Sequence, residues 1–128
     1  MSQKPAPGTL AWTDLTVPDA EEIRDFYAGV VGWVPGGVDM GEYEDFNMVS
    51  PATGEPAAGI CHARGSNADQ PPVWMVYFVV ENLDASLKGV TDGGGEILVG
   101  PKNMGPGSAY AAIRDPSGAV CALYQVGD

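Results

Sequence analysis

Positive charge is scarce in this chain of 128 residues: six Lys and Arg stand against 17 Asp and Glu, a net charge of −11. Phosphate backbones are held by clustered Lys and Arg, so the shortage argues against nucleic acid as a partner. The acidic excess reads either as solubility through self-repulsion or as preference for a cationic ligand. Histidine occurs once, as His62, and cysteine twice, as Cys61 and Cys121, which are far apart and match no zinc spacing. Both cysteines read as buried thiols. No apolar run approaches the roughly 20 residues that cross a bilayer, so a membrane is not expected as a partner. The opening MSQKPAPGT lacks the apolar core of a signal peptide, and the expected location is the cytoplasm.

What is present is a hydrophobic content of 45%, enough for one domain with a single core, and an internal repeat. A shift of 63 residues places WTDLTVPD (12–19) over MVYFVVEN (75–82) and Gly32 over Gly95. Each half has an apolar-rich strand, then Asp19 or Asn82 as an expected helix N-cap, then an amphipathic stretch. Ile23, Phe26, Tyr27 and Val30 recur at helical spacing in the first, and Leu83, Leu87 and Val90 in the second. Three extended stretches follow each helix, near 33–40, 43–50 and 57–64, then near 96–100, 108–114 and 119–126. Pro- and Gly-bearing turns separate them, with SPATG and DPSG at corresponding places. The expected fold is α+β, two tandem βαβββ modules at about 8–64 and 72–126 of one domain.

The doubled βαβββ unit, with DLTVPDAEEIRDFYAGVVGW in one half and RDPSGAVCALYQ in the other, resembles the vicinal oxygen chelate superfamily. That group contains glyoxalase I, extradiol dioxygenases, fosfomycin-resistance enzymes and bleomycin-resistance binding proteins. The resemblance implies a glyoxalase-like fold, a curved sheet around an open, cleft-bearing face, often completed by dimerisation. It also implies metal ligands on the first and last strands of each module. Here those four positions fall on Trp12, Met75, Ala122 and Ile60. Indole N–H only donates hydrogen bonds, alkyl groups offer no lone pair, and one Met thioether without partners does not make a site, so the expectation is no metal and no cofactor.

Alternation along strands assigns neighbours to the same face. With Trp12 inward, Asp14 follows while Leu15 and Val17 face the helix; with Met75 inward, Tyr77 follows. Ile60 inward would carry His62 with it and turn Cys61 away; Ala122 inward carries Tyr124 and turns Cys121 away. The expected ligand-binding set is Trp12, Asp14, Asp45, Asn47, Ile60, His62, Met75, Tyr77, Tyr110, Ala122 and Tyr124. Such a surface, aromatic with a few acidic points, suits a flat or cationic small organic molecule. It would equally suit a core filling or a dimer seam. The expected function is metal-independent binding of such a ligand by a homodimer. The alternative is a lyase, isomerase or hydrolase of the same superfamily using Asp14, His62 or a tyrosine as acid or base. Loops 35–45, 65–72 and 101–108, the last carrying Lys102, read as lids or plain connections.

Overall fold

The computed structural model describes residues 5–65 and 68–127, so part of the loop at 65–72 lies outside the described residues. The order of elements is β1 (Leu10–Val17), α1 (Ala20–Val31), β2 (Val34–Asp39), β3 (Glu44–Val49) and β4 (Pro56–His62). The second series is β5 (Met75–Val79), α2 (Leu83–Asp92), β6 (Glu96–Asn103), β7 (Ala109–Arg114) and β8 (Val120–Gln125). The βαβββ repeat is present, and its two helices begin at Ala20 and Leu83, whose difference is the 63-residue shift. Strand β6 runs on to Asn103, so Pro101 and Lys102 belong to a strand rather than to the loop expected there. Contacts divide the chain into two compact units, Thr13–Trp74 and a second from Met75 on that also takes the N-terminal residues through Trp12.

In the first unit the strands order β2-β3-β4-β1, with β1 and β4 parallel and the other pairs antiparallel. Helix α1 begins after Pro18, and Glu21 and Glu22 in its first turn suit the positive end of its dipole. Asp19, the expected N-cap, makes no side-chain cap bond; its φ/ψ of −104°/53° departs from the extended conformation that aims a capping oxygen. The helix stops at Gly32, whose φ of 87° is the left-handed conformation glycine adopts without strain; its N–H donates to the Ala28 carbonyl.

The core of this unit is Leu15 and Val17 of β1, Ala20 of α1, Phe46 and Met48 of β3, and Ile60 of β4. Met48 and Ile60 are fully buried, each contributing about 1.5–3 kcal/mol over an exposed position. Ile23 and Tyr27 supply the helix side of this contact, whereas Phe26 and Val30 remain mostly exposed. The apolar stripe of α1 is thus wider than the face the sheet covers. Tyr27, Trp33 and Trp74 close one end, with the Trp74 Nε1–H donating to Tyr27 Oη at 3.1 Å and their rings edge to face at 5.1 Å.

The second unit repeats the order as β6-β7-β8-β5, again with only the β5–β8 pair parallel. Here the cap forms as expected: the Asn82 side-chain oxygen accepts from Ala85 N–H at 3.1 Å. Leu83 and Leu87 of α2 bury against Ala111, Ile113 and Leu123, with Val80, Val90, Ile97 and Cys121 at the margin. The DPSG turn is held by Asp115, whose carboxylate accepts from the Ser117 and Ala119 N–H groups at 2.8 and 3.0 Å.

Candidate functional site

Each sheet has a helix-covered face and a face away from its helix, and the registers say which side chains occupy the second. In the first unit Leu15 and Val17 belong to the core, so Asp14 and Thr16 lie on the opposite face. Strand β4 brings Gly59 beside Asp14 and Cys61 beside Thr16, and β3 brings Asn47 beside Gly59. The row Asn47–Gly59–Asp14 therefore crosses three strands with nothing but backbone at its centre.

Ile60 and His62 are not on this face. Ile60 pairs with Leu15 and Phe46 in the core, and His62 pairs with Val17, so both are turned toward the helix and Cys61 is turned away from it. The expectation of Ile60 and His62 inward and Cys61 outward is thus inverted. The connection into β4 is longer than its repeat, since residues 50–55 separate the paired Val49 and Pro56, but only 115–119 separate Arg114 and Val120, and a bulge at Met48/Val49 adds one residue more. The hairpin β2–β3 is shorter than β6–β7 by the same amount, so the 63-residue shift of the helices is restored at β4 and the counterpart of Ala122 is Gly59, one residue before the expected Ile60.

His62 is instead a structural hub. Its backbone N–H donates to Asp45 Oδ1 at 2.8 Å, and its Nδ1 lies 3.1 Å from the same oxygen. A carboxylate only accepts, so the Nδ1–H donates to Asp45, and Nε2 lies 3.5 Å from Glu21 Oε1 of α1. Tyr43 and Phe46 flank the ring at 5.4 and 6.0 Å. Asp14 and His62 therefore stand on opposite faces of the sheet and cannot act together in one site. Asp45, buried at 6% exposure, holds His62 and the edge of β4. Burial, then the charges of Asp14 and Asp45 and a hydrogen bond with Asp45, push the Cys61 thiol up to about 12, so it is neither a ready nucleophile nor a ready ligand.

In the second unit the facing is as expected. Cys121 and Leu123 lie with the helix-side core, so Ala122 and Tyr124 take the other face. Tyr77 is beside Ala122, Ala112 is beside Ala122, and Tyr110 is beside Tyr124. The Tyr77 and Tyr110 rings sit 6.0 Å apart at 55°. Ala112 and Ala122 between them are fully covered and offer only methyl groups. Met75, 3% exposed, is buried, and Trp12 is half-buried. Lys102 of β6 lies opposite Tyr110, which adds it to this face. Sequence reasoning left Lys102 in a loop; only the register of β6 shows where it stands.

The chain matches the family described as Glyoxalase/Bleomycin resistance protein/Dioxygenase superfamily over residues 9–123. It belongs to that superfamily. Among curated relatives, it is 32% identical over 137 residues to the anthracycline biosynthesis protein DnrV of Streptomyces peucetius, covering 95% of this chain and 48% of DnrV. It is 31% identical over 125 residues to CFP32 of Mycobacterium tuberculosis, named as a candidate glyoxylase, covering 92% of this chain and 46% of CFP32. The chain thus spans about half the length of the curated relatives it matches. Methylmalonyl-CoA epimerase from Mycobacterium tuberculosis shares the fold, with a TM-score of 0.55 and 15% identity over 100% of this chain and 94% of that one.

The four strand positions that the resemblance assigns to a metal are Trp12, Met75, Ala122 and, by the corrected register, Gly59. These residues do not fit a divalent ion: none brings an oxygen or imidazole donor. Among the described residues no three His, Cys, Asp or Glu side chains are grouped to hold one elsewhere. No helix among them is long and apolar enough to cross a membrane.

Proposed function

We propose that this superfamily member binds a small, flat aromatic molecule on the face of its second unit, without a metal. The observation that carries this reading is the group Tyr77, Tyr110 and Tyr124 around Ala112 and Ala122. Phenol rings present wide apolar faces with little conformational freedom to lose, and their hydroxyls bond polar edges of a ligand. The name of DnrV supports the ligand class, since an anthracycline is built on fused planar rings. Titrating an anthraquinone series against intrinsic fluorescence tests the proposal. Tyr77→Ala should weaken binding about tenfold or more, on the order of 1–3 kcal/mol for a lost stacking partner. Equal affinity in wild type and Tyr77→Ala would remove it.

A second reading, an enzyme of the superfamily, is favoured by the relatives named for biosynthesis and as a candidate glyoxylase. On this reading a tyrosine hydroxyl or Asp14 moves the proton, not His62, which is engaged with Asp45 on the helix side. A mass change in a bound compound during incubation would establish it.

A further inference from the structure

The tyrosine face carries a cation, and its placement is built by the backbone. At the start of the β6–β7 ladder Glu96 pairs with Arg114 and Ile97 with Ile113. Continued without a break, that register would set Gly100 against Tyr110. Two shifts, one between Ile97 and Val99 and one between Val99 and Lys102, each insert a residue, and Lys102 arrives there instead. Bulges of this kind re-aim side chains and are rarely incidental. Gly100 permits the detour: its φ is 88°, and a Cβ on it would lie 2.9 Å from the Tyr110 carbonyl oxygen and 3.1 Å from the Lys102 nitrogen.

Directly opposed residues of an antiparallel pair share a face, with Cβ atoms about 4.5–5.5 Å apart. Lys102 is half-buried there, beside Tyr110 and one strand from Tyr124. Within the four strands of this unit the single carboxylate is Glu96, at the far end with Arg114. Like Tyr77 and Tyr110, Lys102 already takes part in contacts in the free protein, and a ligand group must join or displace them.

We infer that Lys102 is the specificity-determining residue of the tyrosine face and selects aromatic ligands bearing an anionic oxygen, a carboxylate or an acidic phenolate. The inference rests on the tyrosine face being the ligand site. A lysine on the same face as Tyr110 can reach the edge of a ring stacked on the tyrosines, and its ammonium makes charge-assisted hydrogen bonds to an anionic oxygen there. It reverses the cationic preference that the net charge of −11 suggests, because the local group meets the ligand, not the sum over the surface.

The test compares anthraquinone-2-carboxylate with the near-isosteric anthraquinone-2-carboxamide at pH 7, by calorimetry, in wild type, K102M, K102R and Y77A. The acid should bind wild type about tenfold or more tighter than the amide, with the advantage shrinking as salt is raised. That ratio should fall to near one in K102M and be largely kept in K102R. Equal binding of acid and amide by wild type, or an unchanged ratio in K102M, overturns the assignment of Lys102; loss of amide binding in Y77A would then show that the site itself stands. If neither compound binds wild type, the site and the assignment fall together.

Discussion

The hairpin β2–β3 and its repeat β6–β7 make the most instructive comparison in the molecule. The first pairs Val34 through Asp39 with Val49 through Glu44 without a break. The second accommodates two extra residues across a ladder of similar length. Both form the outer pair of a four-stranded sheet beside one helix, so the fold tolerates either version. What changes is the chemistry delivered to the face away from the helix. The regular hairpin leaves Asn47 beside a bare Gly59, while the bulged one brings Lys102 to Tyr110. Positions related by the repeat differ in the same sense: Asp14, Gly59 and Cys61 in one unit answer to Tyr77, Ala122 and Tyr124 in the other. The two units share a scaffold while these faces differ, one carrying Asp14 and the other tyrosines.

The two cysteines give the largest contrast to break. Cys61 on the acidic face is pushed up to about 12 from 9.0, whereas Cys121 on the helix side of the other sheet is raised by burial and then by the charge of Asp115. Cys61 therefore carries far less thiolate at neutral pH than a free thiol would. Iodoacetamide at pH 8 should therefore modify Cys121 well before Cys61, as peptide mass mapping would show; early labelling of Cys61 would contradict the burial described. The same shift carries a sign for stability. A raised acid is protonated in the fold, so its contribution is intact below about pH 9 and is lost as pH climbs toward 12. Thermal melts of wild type and Cys61→Ala should consequently converge in alkali.

A smaller effect comes from Gly100→Ala, which forces a Cβ against the Tyr110 carbonyl at a positive φ. A cost of about 1–3 kcal/mol is expected, with weakened preference for an acidic ligand as Lys102 shifts. Gly41→Ala in the first unit, also at positive φ but with nothing within 4 Å, should cost less. Chemical denaturation of the two variants measures the difference. The smallest contrast lies at the helix starts. Asn82→Ala should cost about 1 kcal/mol, as a working N-cap does, and Asp19→Ala, with no cap bond to lose, within about 0.5 kcal/mol. Equal losses would mean that Asp19 acts through the dipole of α1. The apolar side chains left exposed on α1, Phe26 and Val30, bear on the proposed homodimer, which a solution mass measurement decides.

Much of the architecture was legible in the residues. Apolar periodicity, Gly32 as a stop, and turn residues at SPATG and DPSG placed both helices and the inner strands close to their observed bounds, because these signals act over a few residues of chain. The facing was legible where counting along a strand met no irregularity: Tyr77, Tyr110, Ala122 and Tyr124 share the expected face. It failed at β4, where the 63-residue shift of the helices points to Gly59 but allowance for the longer turn placed the counterpart of Ala122 on Ile60. Since side chains alternate with period two, that displacement by one residue exchanged Gly59 and Cys61 for Ile60 and His62 at a stroke.

By itself, then, the sequence determined the two βαβββ modules, their superfamily, and the lack of oxygen and imidazole donors at the inherited ligand positions, all of which follow from local chemistry and a repeat. Tertiary structure alone decided that His62 serves Asp45 and not Asp14, and that Lys102 stands on the face of Tyr110. Each of these depends on register between strands distant in sequence, which is set by turn lengths, bulges and core packing summed over the sheet rather than by any residue's own preference.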